Sequence, residues 1–501
     1  MRGIPSLITD IRKRVFTEVA RMAYAGNGYN GVDELPFIIV PGDQPRHRES
    51  VFLERAIASE RVRLAMGLNI RPVQDRHLMT EGMDEAAVAE QYYTPPLINI
   101  IPYACHACPT NQYKVTSYCQ NCLAASCQKV CPVGAISIKN NRSFIDQEKC
   151  IRCGKCAKAC PYNSIIHLER PCQVACGMDA ITSDEHGKAT INQDKCVACG
   201  QCLVSCPFGA IVDKGQIFQV IQSIIKGDNV IAIVAPAFVG QFGKHSTPDK
   251  FIAAMKKLGF AHVSAVAVGA DMCTVAEAED FLEKVPAEQN YMATSCCPAW
   301  HSMIEKLFPS EINKISMTLT PMVLTARLMK QKYPESKVVF VGPCAAKKLE
   351  AIRADIRSDV DFVLTFEELQ GMFEAKEINF ETIEPMQEQK ESTAAGRGFA
   401  VSGGVAGAVA DVISKTHPDV QVLTARAEGL RECRKLMTLA KAGKYDGYLL
   451  EGMACRGGCV AGAGTLLPVQ TAANMVMRYQ IEADTQSPLD SSYRDLAENL
   501  K

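Results

Sequence analysis

The sequence predicts an α/β domain with mostly parallel sheets in its C-terminal half. An α+β cysteine-rich region precedes it, and a helical segment comes first. Three observations predict this. Sixteen of the 23 cysteines fall between Cys105 and Cys206. From about Lys214 the cysteine density collapses, and apolar strand-like runs alternate with amphipathic stretches. Helical periodicity dominates around 5–24 and 50–67. With 501 residues the chain has room for two to four domains at ~100–200 residues each. The expected divisions are 1–100, 101–213, 214–475 and 476–501, the last a terminal helix with a polar tail. Residues 1–100 are expected to form a covering layer or docking surface.

Composition narrows the function. The net charge is −1, from 54 basic and 55 acidic residues, so nothing favours nucleic acid or a membrane surface as partner. No apolar run approaches the ~18 residues of a spanning helix. The N-terminus reaches Arg12-Lys13-Arg14 without an apolar signal core. A cytoplasmic protein is expected, and there cysteines gathered in one segment point to metal rather than to disulfides.

The cysteine spacing sharpens this. Cys150, Cys153, Cys156, Cys160-Pro161 and Cys196, Cys199, Cys202, Cys206-Pro207 both follow the C-x2-C-x2-C-x3-C-P run and resemble dicluster ferredoxins. In that run three thiolates wrap one [4Fe–4S] cube and the fourth ligates the neighbouring cube. Zinc uses CxxC pairs as well, but does not call for the long paired run. A second, worn pair is interleaved. Cys119, Cys122, Cys127 and Cys131 form a full motif with a longer gap, while Cys172 and Cys176 keep only the end of one. The linkers Ile145–Cys150 and Ile191–Cys196 nearly match, the mark of a copied unit. Crossing within the two matching pairs gives four expected cubes. They are Cys150/Cys153/Cys156/Cys206, Cys196/Cys199/Cys202/Cys160, Cys119/Cys122/Cys127/Cys176 and Cys105/Cys108/Cys172/Cys131. In the last, Cys105 and Cys108 are alternatively idle, or His106 replaces one of them.

In the α/β part, strands are expected at 229–236, 262–268, 337–341 and 445–450, with helices at 248–258, 273–285, 321–333 and 428–442. Strands alternating with helices imply parallel sheets, whose chemistry gathers beyond the strand carboxyl ends. Three blocks stand out: Thr294-Ser295-Cys296-Cys297-Pro298-Ala299-Trp300, Gly342-Pro343-Cys344-Ala345-Ala346-Lys347-Lys348-Leu349-Glu350, and Glu451-Gly452-Met453-Ala454-Cys455-Arg456-Gly457-Gly458-Cys459. The second and third directly follow expected strands.

These blocks resemble the signature segments of [FeFe]-hydrogenases. The resemblance covers 229–475 and reaches back through the cysteine runs to about 100. It implies a catalytic domain of two lobes with mostly parallel sheets, joined to ferredoxin-like domains. It implies an H-cluster, a [4Fe–4S] cubane bridged to a di-iron unit with CO, cyanide and azadithiolate. Carried over, Cys297, Cys344, Cys455 and Cys459 hold the cubane, with Cys459 bridging. Cys296 passes protons to the azadithiolate, Lys347 hydrogen-bonds a cyanide, Met453 packs beside the cofactor, and Glu350 matches a glutamate behind the residues that touch the cofactor. Glu277 matches the first glutamate of the family's proton route. Asp280 takes the place of the second, and Met317 that of a serine. Cys273 and Cys433 are expected to be core thiols. Ser402-Gly403-Gly404-Val405 resembles the family's Gly-Gly-Val turn.

Gly342 before Pro343-Cys344, Ala237 after Pro236, and Ala461-Gly462-Ala463-Gly464 depart from the best-known members, a pattern similar to the divergent group B branch. The resemblance implies reversible reduction of protons to H2 with electrons from ferredoxin or a similar carrier, and dependence on H-cluster maturases. The alternative is an H2-sensing relative with slow turnover. A third, an iron–sulfur assembly factor of the related eukaryotic type, lacks the full set retained here.

Overall fold

A computed structural model describes residues 3–88, 93–387 and 391–500. The first long helix, Leu7–Tyr24, is closed by a capping box. Ser6 Oγ accepts the Thr9 N–H at 3.3 Å, and Thr9 Oγ1 accepts the Ser6 N–H at 3.0 Å. The helix lies against Phe366–Ala375 so closely that a Cβ on Gly371 would sit 2.5 Å from Phe16 Cβ. Val15, Phe16 and Val19 thereby join the same apolar core as strand Val230–Val234. Residues ahead of 100 are thus packed into the body of the protein, as is the second long helix, Val51–Ala65.

The cysteine-rich region is built from short antiparallel pairs and one-turn helices. Gln112–Val115 pairs with Ile165–Leu168, and Ile136–Lys139 with Arg142–Ile145. Ile98–Ile100 pairs with Ile211–Asp213, and Ile181–Ser183 with Ala189–Ile191. These pairings close two units, one over 112–168 and one joining 98–100 to 171–213. The expected break at 100 therefore falls beside a strand that belongs to the second unit.

Two parallel sheets follow. The first has the order His262–Ala265, Val230–Val234, Lys337–Gly342, Phe362–Thr365, and the second Met292–Ala293, Tyr448–Met453, Leu423–Glu428. All five residues of Val230–Val234 are buried, as in parallel strands covered on both faces. The strand expected at 445–450 sits three residues later, because Tyr445–Gly447 are spent in a turn where Gly447 has φ 82°. The helix expected at 273–285 begins at Ala267. Val266 N–H completes the ladder on Val234 O, and the chain turns helical at once. The boundary expected at 475/476 cuts through helix Val469–Ile481. No helix among the described residues is long and apolar enough to cross a membrane.

Candidate active site and metal centres

Four strand ends meet at one point. The loops after Val230–Val234, Met292–Ala293, Lys337–Gly342 and Tyr448–Met453 enclose a cavity of about 90 Å3. Cys296, Cys297, Cys344, Lys347, Met453, Cys455 and Cys459 all line it, so three blocks spread over more than 160 residues share one space. Its other walls are apolar, among them Val266, Met322, Phe340 and Phe399. Each thiol has a local reason for its place. Cys297 caps helix Pro298–Leu307, with proline in the first turn. Burial raises its pKa, while the N–H groups of Ala454, Trp300 and Ala299 favour the thiolate. Cys459 follows Gly458, whose φ of 88° and ψ of −157° suit glycine alone; a Cβ there would meet Ser402 N at 2.5 Å. Burial pushes Cys344 to about 11 and Cys459 to about 12. Thiols so placed would ionise only beside a cation. Four soft donors on a closed apolar cavity fit an iron–sulfur cube.

Lys347 and Glu350 form a buried pair. Lys347 Nζ donates to Glu350 Oε2 at 2.5 Å, and Thr320 Oγ1 donates to Glu350 Oε1 at 2.5 Å. Lys347 is 9% exposed and Glu350 2%. Burial opposes the ammonium charge, yet Glu350 and the neighbouring thiols outweigh it and raise the lysine pKa. The cavity therefore keeps one positive charge on its wall.

Behind Cys296 stand two buried carboxyls. Burial, then Glu277, Cys297 and Glu451, hold Cys296 as a neutral thiol. Glu277 Oε1 accepts the Ser295 N–H at 3.2 Å and the Ser295 Oγ–H at 3.3 Å, while Oε2 is buried without a partner. Burial pushes Glu277 up to about 7. Met317 is expected in the place of the family's serine, and a hydroxyl lies one residue earlier, at Ser316. Ser316 is buried beside Glu277, whereas Met317 is 75% exposed. The reason is loop register. Ser316 N–H is tied to Ala293 O, so its side chain turns inward and the next one turns out. Asp280 lies one turn along the same helix as Glu277 and pairs with Lys284 at 2.5 Å. Glu451 was quoted in the third block but given no role. It is fully buried and accepts the Gly403 and Ala406 N–H groups at 2.6 and 2.9 Å, at the start of helix Gly404–Thr416. Cys273 and Cys433 are buried away from the cavity lining.

The expected crossing of the accessory cysteines is corrected. Cys176 stands among Cys196, Cys199 and Cys202, not with the 119–127 motif. Cys206 stands with Cys105, Cys108 and Cys172, around a small cavity of about 20 Å3, not with the 150–156 motif. Cys131 and Cys160 pack with Cys127, Cys150 and Cys156. Cys119 and Cys127 both meet Ser143, and Cys150 and Cys153 flank Cys156. The strand pairs explain it, because each two-strand closure joins motifs adjacent in sequence. His106 stacks on Phe208 at 4.4 Å, and Cys105 takes the place in the four-cysteine group. No trio of His, Cys, Asp or Glu among the described residues closes on a single-ion site.

The Cys176/Cys196/Cys199/Cys202 group abuts the main cavity. Cys199 lines that cavity and lies beside Cys344. A Cβ on Gly200 would be 2.5 Å from Ala463 Cβ. Gln201 Nε2 donates to Cys455 Sγ at 3.1 Å. Its place between Cys199 and Cys202 was the only signal in sequence that could have singled out Gln201.

Comparison with known proteins agrees with this geometry. The family described as iron only hydrogenase large subunit, C-terminal domain, matches residues 228–463. The 4Fe-4S binding domain matches 144–166 and 189–212. Iron hydrogenase 1 of Clostridium pasteurianum is 29% identical over 371 residues, 64% of this chain and 64% of the relative. The periplasmic [Fe] hydrogenase large subunit of Nitratidesulfovibrio vulgaris is 29% identical over 262 residues, 44% of this chain and 62% of the relative. The chain thus spans under two thirds of the length of these relatives. Probable cytosolic Fe-S cluster assembly factors of flies also match, at 26–27% identity. A solved [FeFe]-hydrogenase from Chlamydomonas reinhardtii superposes with a TM-score of 0.44 at 22% identity, over 54% of this chain and 89% of that one.

Proposed function

Because this chain is a member of the iron-only hydrogenase family that carries ferredoxin-type iron–sulfur segments, we propose that it interconverts protons and H2. Electrons would come from a ferredoxin-like carrier through accessory [4Fe–4S] clusters. The observation that carries this reading is the convergence of Cys296, Cys297, Cys344, Lys347, Met453, Cys455 and Cys459 on one apolar cavity. Cys297, Cys344, Cys455 and Cys459 would hold the cubane of an H-cluster. That cofactor would supply the redox-active metal at which H2 is made or split. The protein's part is acid–base and electrostatic. Lys347, kept charged by Glu350, would favour an anionic group on the cavity wall. Met453 would pack against the group, and the apolar walls would exclude water. Cys296 would exchange protons with the cavity, and Glu277, poised near neutral pH, would exchange them with Cys296. Ser316 and Asp280 would continue the path toward the surface.

Two lobes, one on each parallel sheet, would close over the site. The 101–213 region would be the relay. Within its first unit, the ferredoxin crossing rule gives Cys131 to Cys150/Cys153/Cys156 and Cys160 to Cys119/Cys122/Cys127. Dedicated maturases would install the di-iron unit. The retained Cys296 supports turnover over the H2-sensing and assembly-factor readings.

The test combines iron content with turnover. Reconstituted without maturases, the chain should bind about twenty iron atoms, four in each of five cubes. Loaded with a synthetic di-iron complex, it should show CO and cyanide infrared bands and evolve H2 with reduced ferredoxin. Bands without turnover would favour the sensor, and saturation near twelve irons would remove two cubes.

A further prediction concerns Gln201. An N–H donated to a ligand sulfur favours the reduced, more negative cluster. Gln201→Leu should therefore lower the cubane potential. A neutral hydrogen bond contributes about 0.5–1.5 kcal/mol, which at ~59 mV per tenfold is roughly 20–65 mV. Redox titration of the unmatured protein followed by EPR reads it directly; an unmoved potential would strike Gln201 from the site.

A further inference from the structure

A groove of about 770 Å3 runs between the N-terminal helices and the loop that carries Cys105. Its charge is lopsided. Arg14, Arg46, Arg48, Arg61 and Lys188 line it, against Glu49 and Glu54. Glu54 is already committed, because its Oε1 accepts the N–H groups of Arg46, His47 and Arg48 at 3.0, 2.5 and 2.9 Å. That carboxylate fixes the segment bearing two of the arginines. Arg48 and Arg61 in turn donate to Phe208 O and Gly209 O, each at 2.9 Å, bracing the turn that follows Cys206. Arg61 is 7% exposed, and its Nε has no partner. Among the described residues, Arg14, Arg46 and Lys188 make no ion pair. In a chain of net charge −1, this is a local excess of positive charge, and it lies over a four-cysteine group.

Apolar side chains share the lining, Leu7, Ile11, Leu53 and Ile57 among them. Next along the chain from lining residues, Ile38 is 51% exposed and Phe52 78%. A broad lining of apolar and basic side chains together fits a protein face better than a small ion. Cys105, one of the three cysteines grouped with Cys206, reaches the groove itself.

We propose that this groove seats a small acidic electron-carrier protein that reduces the Cys105/Cys108/Cys172/Cys206 cluster. The carrier loses one electron, the cluster gains one, and no proton moves. The inner half of the path follows from the same geometry, since Cys172 lies beside Cys202 of the group that abuts the main cavity. The proposal rests on reading these cysteines as cluster ligands. It needs no H2 chemistry.

The test is stopped-flow reduction of the full-length, iron-reconstituted protein, with iron content checked first so that a missing cluster is recognised before mixing. A reduced acidic bacterial ferredoxin is the probe, and methyl viologen radical is the comparison reductant. In Arg14→Glu/Arg46→Glu/Lys188→Glu, the ferredoxin rate relative to the viologen rate should fall at least ~10-fold at low ionic strength, and the gap should narrow as salt screens it. The exposed Cys153 marks the other surface approach. Lys155→Glu/Lys158→Glu beside it should leave the ratio within about twofold. An unchanged ratio in the triple variant, or a larger fall in the Lys155/Lys158 variant, would overturn the assignment. Saturable ATP binding, abolished by the three reversals with the ferredoxin ratio unmoved, would give the groove to a small anion and overturn it as well.

Discussion

Cys296→Ala is expected to lower H2 turnover by roughly 10²–10⁴-fold, the usual worth of a positioned proton donor, with wild-type iron content retained. A methyl group cannot carry a proton, and every other thiol lining the cavity has a proposed ligand role. Cys296 is held neutral by burial and by Glu277 and Glu451, so it presents an S–H rather than a competing thiolate. Cys297, next in the chain, keeps its three backbone N–H contacts in the variant. The cubane should therefore persist in the EPR spectrum. Wild-type turnover would make Cys296 a spectator. Loss of the cubane would mean that the two adjacent cysteines have exchanged roles. The pH profile adds a check. Glu277 sits near 7, and the inflection of turnover close to that pH should vanish in Glu277→Gln.

Lys348→Met should be the most destabilising single change, by about 3–5 kcal/mol, the range for breaking a buried ion pair from one side. Lys348 Nζ lies 2.8 Å from Asp213 Oδ2 and 3.1 Å from Glu368 Oε2, and donates to Lys214 O at 2.7 Å. All three charged side chains are at most 5% exposed. The two acids respond differently. Burial opposes the charge on Asp213, but Lys348 and Arg12 together outweigh it and lower its pKa. Burial prevails at Glu368, whose pKa rises. Without Lys348, Asp213 keeps one ion pair among the described residues, with Arg12 at 3.4 Å, and Glu368 keeps the Thr365 contacts. Replacing Glu368 by Gln in the same chain should recover part of the loss, which simple loss of packing would not. Urea midpoints, read by circular dichroism and by the cluster absorbance together, measure both. Midpoints within error of wild type would show that the network is not holding the three regions together.

The site was legible in sequence because metal chemistry restricts both residue type and short spacing. Cys297, Cys344, Cys455 and Cys459 could be picked out individually, and the loops after Gly342 and Met453 were expected at strand ends. What failed was whatever depends on contacts distant in sequence. The matching linkers before Cys150 and Cys196 show descent, and they suggested pairing between copies. Backbone pairing instead joins 112–115 to 165–168 and 98–100 to 211–213, which no local spacing encodes. The slip from Met317 to Ser316 is smaller but alike in kind. One hydrogen bond to Ala293 O sets that register, and the strand supplying it has only two residues. The helix 5–24 was visible from its period, but its seat on Gly371 was not, since nothing near residue 16 announces a glycine 355 positions later.

The main cavity also sets a timetable for making the protein. Its thiols arise at 297, 344, 455 and 459, and its walls need strands from both sheets. The set is incomplete until Cys459 is synthesised, whereas the cysteines of 105–206 all precede the first of the four. Domains fold as they emerge from the ribosome, N-terminal first. If the 105–206 cysteines hold clusters as proposed, they would therefore take up iron before the main cavity can close around its own.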